Sequence, residues 1–170
     1  MKPRDWSREP LTAVQKFILE THHVYTHATL EALLDLADDA APQRVAALVE
    51  QLYDDLIPHM TKEEQILFPY IEELELSEDA VEPFFGTVEN PIRMMVKEHE
   101  AATDLLLALR RATNGYRPPD GATAYVRELY EKLAALEDDL LRHIDLENNV
   151  LFPRAAALEA KLRDAIVRTY

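Results

Sequence analysis

One eleven-residue motif occurs twice in this chain and limits the folds that the chain can adopt. HMTKEEQILFP begins at His59, and HIDLENNVLFP begins 84 residues later at His143. The copies share the His, a Glu four residues further on and the closing Leu-Phe-Pro. Residues four apart lie on one face of an α-helix, so each copy predicts a helix that presents a His–Glu pair on one side. We therefore expect two copies of one structural unit.

The periodicity of apolar residues predicts four long helices. The first three run from about Thr12 to Asp38, from Pro42 to about Leu76, and from Asn90 to just before Gly115. The fourth runs from about Ala122 to Phe152, where Pro153 is expected to end it, and a short helix from Arg154 to about Val167 follows. The chain has only three glycines, which agrees with a helical fold. Residues 77–89 form the longest predicted break.

Capping signals predict where two of these helices begin. Thr12 and Gln15 have the spacing of a capping box at the start of the first helix. Asn90 is a favoured cap residue, and Pro91 is well suited to the first helical position after it.

Each long helix carries an apolar stripe that polar residues interrupt. In the second helix the stripe runs through positions 48, 52, 56, 59, 63, 67, 70 and 74, which is the spacing of an inward-facing helix surface. The fourth helix repeats this spacing at 129, 133, 136, 140, 143, 147 and 151, and the third has it at 92, 95, 99, 102, 106 and 109. The polar exceptions are His59 and Glu63 in the second helix, His99 in the third, and His143 and Glu147 in the fourth.

The first helix contributes a histidine whose register is ambiguous. Either His22 or His23 can lie on its buried stripe, and His27 lies one turn after His23. His23 precedes His59 by 36 residues, and His99 precedes His143 by 44. Each half of the chain is thus a helix with one His followed by a helix with His-x-x-x-Glu. The predicted fold is an all-α, antiparallel up-down four-helix bundle, built as a duplicated helical hairpin with a short C-terminal helix.

Buried carboxylates and imidazoles at one depth of a bundle predict a metal site. A carboxylate in an apolar core is costly unless it is paired or bound to a metal. Two His–Glu pairs with one His each from the first and third helices give six ligands, enough for two metal ions that keep open positions. Nitrogen and oxygen ligands without thiolate favour iron or manganese, with zinc as an alternative. We expect the carboxylates, with an oxo or hydroxo group, to bridge the two ions.

Composition excludes several classes of function. The formal net charge of −14 opposes contact with nucleic acid. No apolar run is long enough to span a membrane, and no secretory signal precedes the first helix, so we expect a cytoplasmic protein. The chain has no cysteine, which excludes disulfides, thiol catalysis and a cysteine-ligated iron–sulfur cluster on this chain.

The quoted motifs resemble those of the hemerythrin-like (HHE cation-binding) family, and most closely the di-iron repair-of-iron-centres proteins. The resemblance extends over HH at 22–23, HMTKEEQILFP, NPIRMMVKEHE and LLRHIDLENNVLFPRA. It implies a single di-iron domain over residues 1–170, without the separate N-terminal cysteine-containing domain of full-length repair proteins. It selects His23 over His22 and assigns the metal ligands as His23, His59, Glu63, His99, His143 and Glu147.

The resemblance also implies a function in the response to nitrosative and oxidative stress. Such a protein would handle NO or reactive oxygen, or donate iron for iron–sulfur cluster repair. The expected partners are NO, O2 or peroxide, together with iron–sulfur client proteins or a redox partner. The alternatives are an O2- or NO-binding sensor or carrier and an NO reductase or peroxidase. Oxygen carriers of the family have a second His one turn after the third-helix His, where this chain has Thr103.

Overall fold

The computed structural model of the protein describes residues 5–77 and 82–167. After a 3-10 turn at Trp6–Arg8, these residues form four long helices: α1 (11–40), α2 (43–76), α3 (Glu89–Ala112) and α4 (124–167). Residues 1–4 and 168–170 lie outside the described ranges, as does the 78–81 part of the break predicted at 77–89. None of the helices in these ranges has both the length and the apolar character needed to cross a membrane.

The four helices pack as a bundle, which confirms the predicted fold class. α1 lies beside α2 and α4, and α3 completes the bundle against the same two helices. The start of α1 contacts the last turns of α2, so these two helices are antiparallel. Only Ala41 and Pro42 separate them. The interruption occurs here because Pro42 has no backbone N–H with which to continue the hydrogen-bond pattern of α1.

Two apolar clusters fill the bundle, one on each side of a polar layer. The larger cluster includes Leu30, Leu52, Leu106 and Leu136, each fully or almost fully buried. The smaller one lies at the other end and includes Ile71. In all four helices the predicted polar positions fall between residues of the two clusters. The polar layer is therefore closed off above and below by hydrocarbon.

Three of the helices contain a wider π turn next to the polar layer. In a π turn the N–H of one residue bonds to the carbonyl five residues earlier, and such turns are frequent at functional sites. The turns are Ile18–His23 in α1, Glu63–Leu67 in α2 and Glu147–Leu151 in α4. Each therefore begins or ends at a residue of the polar layer.

The π turns also explain how Pro69 and Pro153 fit within α2 and α4. Phe68 and Phe152 donate their N–H groups to the carbonyls of Glu63 and Glu147, five residues back, and a proline follows each phenylalanine. The wider turn gives room to a ring that would collide with the carbonyl four residues earlier in a regular helix. The sequence predicted that Pro153 would end a helix. Instead, the C-terminal helix Phe152–Val167 continues directly from the π turn.

The predicted capping box at the start of α1 is wrong, because a residue of α2 caps this helix. The Glu75 carboxylate accepts hydrogen bonds from the N–H groups of Leu11 at 2.5 Å and Thr12 at 2.8 Å. Gln15 instead donates its side-chain amide to the Phe68 carbonyl at 2.8 Å. A capping group from another helix leaves no signal in the local sequence.

The predicted cap at Asn90 is also wrong. α3 begins at Glu89 after Val88, so Asn90 already lies in the first turn. Its side-chain amide donates to the Phe85 carbonyl at 2.8 Å, which ties the preceding turn to the helix. The buried apolar side chain of Val88 fixes the start of the helix two residues earlier than the polar signal predicted.

Candidate metal centre

The six residues predicted as metal ligands meet in one buried layer of the bundle. Each is at most 2% exposed. They form two groups in which one ligand atom of every residue lies within 4.8 Å of the others. The first group is His23, Glu63, His143 and Glu147, and the second is His59, Glu63, His99 and Glu147. Glu63 and Glu147 belong to both groups, an arrangement consistent with a dinuclear metal site.

Imidazole nitrogens face each other within each group. His23 Nε2 lies 3.3 Å from His143 Nε2. In the second group, His59 Nε2 lies 3.1 Å from His99 Nε2. Two neutral imidazoles can share such a contact only if one nitrogen carries a proton and the other does not. Each group thus brings two imidazole nitrogens to a common centre.

Each carboxylate lies between the two groups. Glu63 Oε2 is 3.4 Å from the Nε2 atoms of both His23 and His59. Glu147 Oε2 is 3.1 Å from His99 Nε2, and its Oε1 is 3.0 Å from His143 Nε2. Each carboxylate therefore contacts one imidazole of each group, which is the placement of a bridging ligand.

Within the described ranges, the buried carboxylate oxygens of the layer lack hydrogen-bond partners, whose place a bound cation could take. Among the described residues, none of the four oxygens of Glu63 and Glu147 has a partner with hydrogen-bond geometry. A fully buried carboxylate without such partners is strongly unfavourable. Nitrogen and oxygen donors that converge in a dry layer form the ligand set of a divalent transition metal. The residues present therefore fit a pair of metal ions.

The charges of the layer alter the pKa values of its own members. Burial lowers the pKa of the His23 imidazole, but the adjacent Glu63 carboxylate outweighs burial and raises the pKa above its ordinary value. Burial and the Glu147 carboxylate act in the same way on His99, and the pKa is again raised. Burial would raise the pKa of Glu147, but the charges and contacts of His143 and His99 hold it far below its usual range. In the metal-free layer, the carboxylates therefore favour the protonated forms of His23 and His99.

Outer acceptors hold three of the four imidazoles by their second nitrogen. A hydrogen bond from Nδ1 fixes the ring so that Nε2 points into the layer as a lone pair, as in the carboxylate–histidine–metal arrangement of many metalloproteins. The contacts run from His23 to Glu64 at 2.8 Å, from His59 to Glu98 at 2.8 Å and from His99 to Asn148 at 2.9 Å. Lys62 forms an ion pair with Glu98. These outer acceptors preset the ligand geometry.

The sequence matches the hemerythrin HHE cation binding domain over residues 17–155. The match includes all six residues of the buried layer, α2 and α3 in full, and most of α1 and α4. The chain belongs to this family.

Individual relatives of the chain carry a more specific name. The iron-sulfur cluster repair protein YtfE of Cronobacter sakazakii is 34% identical over 165 residues, which cover 92% of this chain and 71% of that protein. The protein of the same name from Edwardsiella ictaluri is 35% identical over 161 residues, covering 89% and 69%. That of Escherichia coli is 33% identical over 165 residues.

The structure separates the roles of the two adjacent histidines in the HHE domain. Both are buried, but His22 belongs to neither group of candidate ligands in the described part of the chain. Its Nδ1 lies 3.0 Å from an Asp139 carboxylate oxygen, and its ring lies parallel to the His143 ring at 5.4 Å. His27 is 38% exposed and reaches only the edge of the layer, 4.0 Å from Glu64 Oε1. Among the described residues, His23 and not His22 is therefore the histidine of the pair that lies in the candidate ligand groups.

The outer acceptors are the site residues that the sequence analysis missed. Glu64, Glu98 and Asn148 each lie directly beside a predicted ligand in the sequence, one position away from the apolar stripe. A polar residue at such a position usually faces solvent. Each of these acceptors serves a histidine on a neighbouring helix, so only the assembled bundle reveals its role.

Two clefts lead from solvent to the outer acceptors. One of about 260 Å³ is lined by Pro58, His59 and Glu98 among others. The other, of about 530 Å³, is lined by His23, His27 and Glu64 among others. Each cleft is lined by one imidazole of the layer, His59 in the first and His23 in the second, and both rings are almost fully buried. Pro58 lies within α2 without ending it and forms part of the wall of the first cleft.

Proposed function

We propose that the buried layer holds two iron ions and that the protein repairs iron–sulfur clusters. The ligands are the six residues of the layer: His23, His59, Glu63, His99, His143 and Glu147. The observation that carries the proposal is the sharing of Glu63 and Glu147 between two His pairs. A ligand set of imidazole and carboxylate without thiolate suits iron, and manganese and zinc are the alternatives. Relatives named as iron-sulfur cluster repair proteins favour iron.

The residues of the layer account for both retention and release of metal. Two imidazoles and two shared carboxylates give each position four protein ligands, which leaves room for small ligands such as NO, O2 or peroxide. Iron would supply redox chemistry and a transferable ion. Glu63 and Glu147 contribute two negative charges, which balance two ferrous ions only in part. The outer hydrogen bonds keep the Nε2 atoms of His23, His59 and His99 directed inward when metal leaves.

Oxygen carriage is less well supported, because the position of the second third-helix His has another role. The Thr103 hydroxyl donates a hydrogen bond to the His99 carbonyl at 2.8 Å. It is thereby turned to the backbone of its own helix and offers no nitrogen to the layer. The repair function remains the one that site and relatives support together.

The proposal is tested by iron content and by transfer to a damaged client. Anaerobic loading with ferrous iron should approach two ions per chain. The loaded protein should restore activity to an iron–sulfur enzyme whose cluster an oxidant has damaged. His59→Ala and His143→Ala should each lower both readouts, whereas His27→Ala should lower neither. A plateau at one ion or none would refute the dinuclear centre, and two ions without any reactivation would refute the repair function.

A further inference from the structure

The two halves of the metal centre differ in the residues that surround them. Residues of α2 correspond to residues of α4 that are 84 positions later, as His59 corresponds to His143. Residues of α1 correspond to residues of α3 that are 76 positions later, as His23 corresponds to His99. The six ligands obey this correspondence. The residues around them obey it only in part, so the two metal positions have different surroundings.

The largest difference is at the outer side of His59 and its counterpart His143. His59 donates to Glu98, and Lys62 holds that carboxylate by an ion pair. At the corresponding positions around His143, Leu146 replaces the lysine and His22 replaces the glutamate.

In the described part of the chain, the Nδ1 atom of His143 has no acceptor. It is buried, and none of the described residues offers it a hydrogen-bond partner. The ring of His22 lies parallel to it at 5.4 Å, but His22 directs its own Nδ1 to Asp139. The His143 ring is therefore positioned by stacking, whereas the rings of His23, His59 and His99 are positioned by hydrogen bonds.

We propose that the two metal positions are unequal and that the one between His23 and His143 binds metal more weakly and releases it first. The inference rests on the dinuclear centre proposed above. Losing one outer hydrogen bond to a ligating histidine typically lowers metal affinity by about 10–100-fold. One position has two hydrogen-bonded rings, and the other has one.

Competition with a chromogenic ferrous chelator under anaerobic conditions measures the difference. The wild-type protein loaded with two ferrous ions should yield one equivalent readily and the second at a chelator concentration about tenfold or more higher. Asn148→Ala removes the acceptor of His99. The second equivalent should therefore be released at a lower chelator concentration, closer to the one that releases the first. If the mutation weakens only the first equivalent, the assignment of the weak position is overturned.

A gain-of-binding variant tests the role of His143 Nδ1 directly. In His22→Gln the introduced amide can donate to Asp139 and accept from His143 Nδ1, as Asn148 does for His99. We expect the weak equivalent to become about tenfold tighter. His22→Phe is the matched control, because it keeps a ring against His143 but offers no acceptor, so the weak equivalent should not tighten.

The outcomes separate this inference from the proposed function. Two ions with indistinguishable affinities, unchanged in His22→Gln, would overturn the inequality and leave the dinuclear centre intact. Failure to load two ions would overturn the centre itself. Circular dichroism melts of the metal-free variants identify a variant that has not folded, and Asn148→Ala, at a half-buried position, then provides the independent test.

Discussion

At the scale of single residues, Glu63 and Glu147 are the side chains whose burial most requires an explanation. Both are fully buried, and both lie between imidazoles of two different helices. In the metal-free protein, burial would raise the pKa of the Glu147 carboxyl, but His143 and His99 hold it low, and despite burial the Glu63 carboxylate raises the pKa of the His23 imidazole. The Glu147 carboxylate is therefore ionised and paired even without metal.

Glu63→Gln should separate metal binding from folding. The substitution keeps the shape of the side chain but removes its charge and its ability to bridge two ions. Above the raised pKa of His23, the metal-free variant should be at least as stable as the wild type, because a buried carboxylate charge is removed. At lower pH, the loss of the contact between Glu63 and protonated His23 should offset this gain. With excess iron, apparent stability should fall by about 1.4 kcal/mol for each tenfold loss of affinity. Thermal melts with and without iron measure both effects.

Glu147→Gln provides the contrast. It should weaken metal binding in the same way. It should also destabilise the metal-free protein at neutral pH, because the substitution removes the contacts of the carboxylate with His143 and His99. Equal melting temperatures of the metal-free Glu147→Gln and wild-type proteins would show that these pairs contribute nothing.

The register of the first helix is tested by the two adjacent histidines. His23→Ala should lower iron content sharply at saturation, because it removes a ligand. His22→Ala should leave close to two ions bound, because His22 contacts the layer only through the ring of His143. Elemental analysis of the two variants after identical loading gives the answer, and the reverse result would place the register one residue away.

Residue types and spacing predicted five members of the buried layer, and the family resemblance added the sixth, but neither predicted their surroundings. The apolar stripes identified five members, since a polar residue on a buried stripe is conspicuous. They could not decide between His22 and His23, since π turn Ile18–His23 lets both be buried on one helix. Resemblance to the family decided that point.

At the scale of helices, a π turn in α2 and another in α4 let each helix continue past the proline that follows its buried glutamate. Periodicity predicted the four helices to within a few residues, because apolar burial dominates the pattern. It did not predict the π turns, because the spacing through positions 59, 63, 67 and 70 is also that of a regular α-helix. The prolines after Phe68 and Phe152 were the available signal, and we interpreted Pro153 as the end of a helix.

The start of α1 depends on a residue from α2. Contacts with the Leu11 and Thr12 amides outweigh partial burial and lower the pKa of the Glu75 carboxyl. A carboxyl group whose pKa is lower in the folded state stabilises the protein above its unfolded-state pKa, and this stabilisation is lost as the pH falls through the folded-state pKa.

Glu75→Ala should therefore destabilise the protein in a pH-dependent way. We expect a loss of about 1–2 kcal/mol at pH 7, typical of a removed helix cap, and a smaller loss at about pH 3. Urea denaturation of the metal-free protein at the two pH values measures it. Glu72→Ala, an exposed neighbour, is the matched control and should have little effect. A loss that is the same at both pH values would exclude the carboxylate as its cause.

At the scale of the whole molecule, two apolar clusters enclose one polar layer, and metal and protons compete for that layer. The imidazoles must be neutral to bind metal. In the metal-free protein, the raised pKa values of His23 and His99 stabilise the fold below the unfolded-state value of about 6.5. This stabilisation is lost as the pH rises through the folded-state values.

The difference in stability between the metal-loaded and metal-free proteins should shrink as the pH falls from 7.5 to 5.5. Acid stabilises the metal-free form through imidazolium–carboxylate pairs and weakens metal binding by protonating ligands. Melting temperatures of the two forms across this range test the prediction. Calorimetric titration with metal in buffers of different ionisation enthalpy should also show that protons are released. A constant difference down to pH 5.5 would contradict a histidine-rich centre.

The partial correspondence between the halves has a consequence for what a duplicated protein can do. In a homodimer of two identical hairpins, symmetry would repeat every substitution near one metal position at the other position. A single chain that carries both hairpins is free of that constraint. His22 and Glu98, which such a dimer would have to keep identical, can then diverge separately. Covalent linkage of the two hairpins thereby allows one metal position to retain its ion while the other releases it.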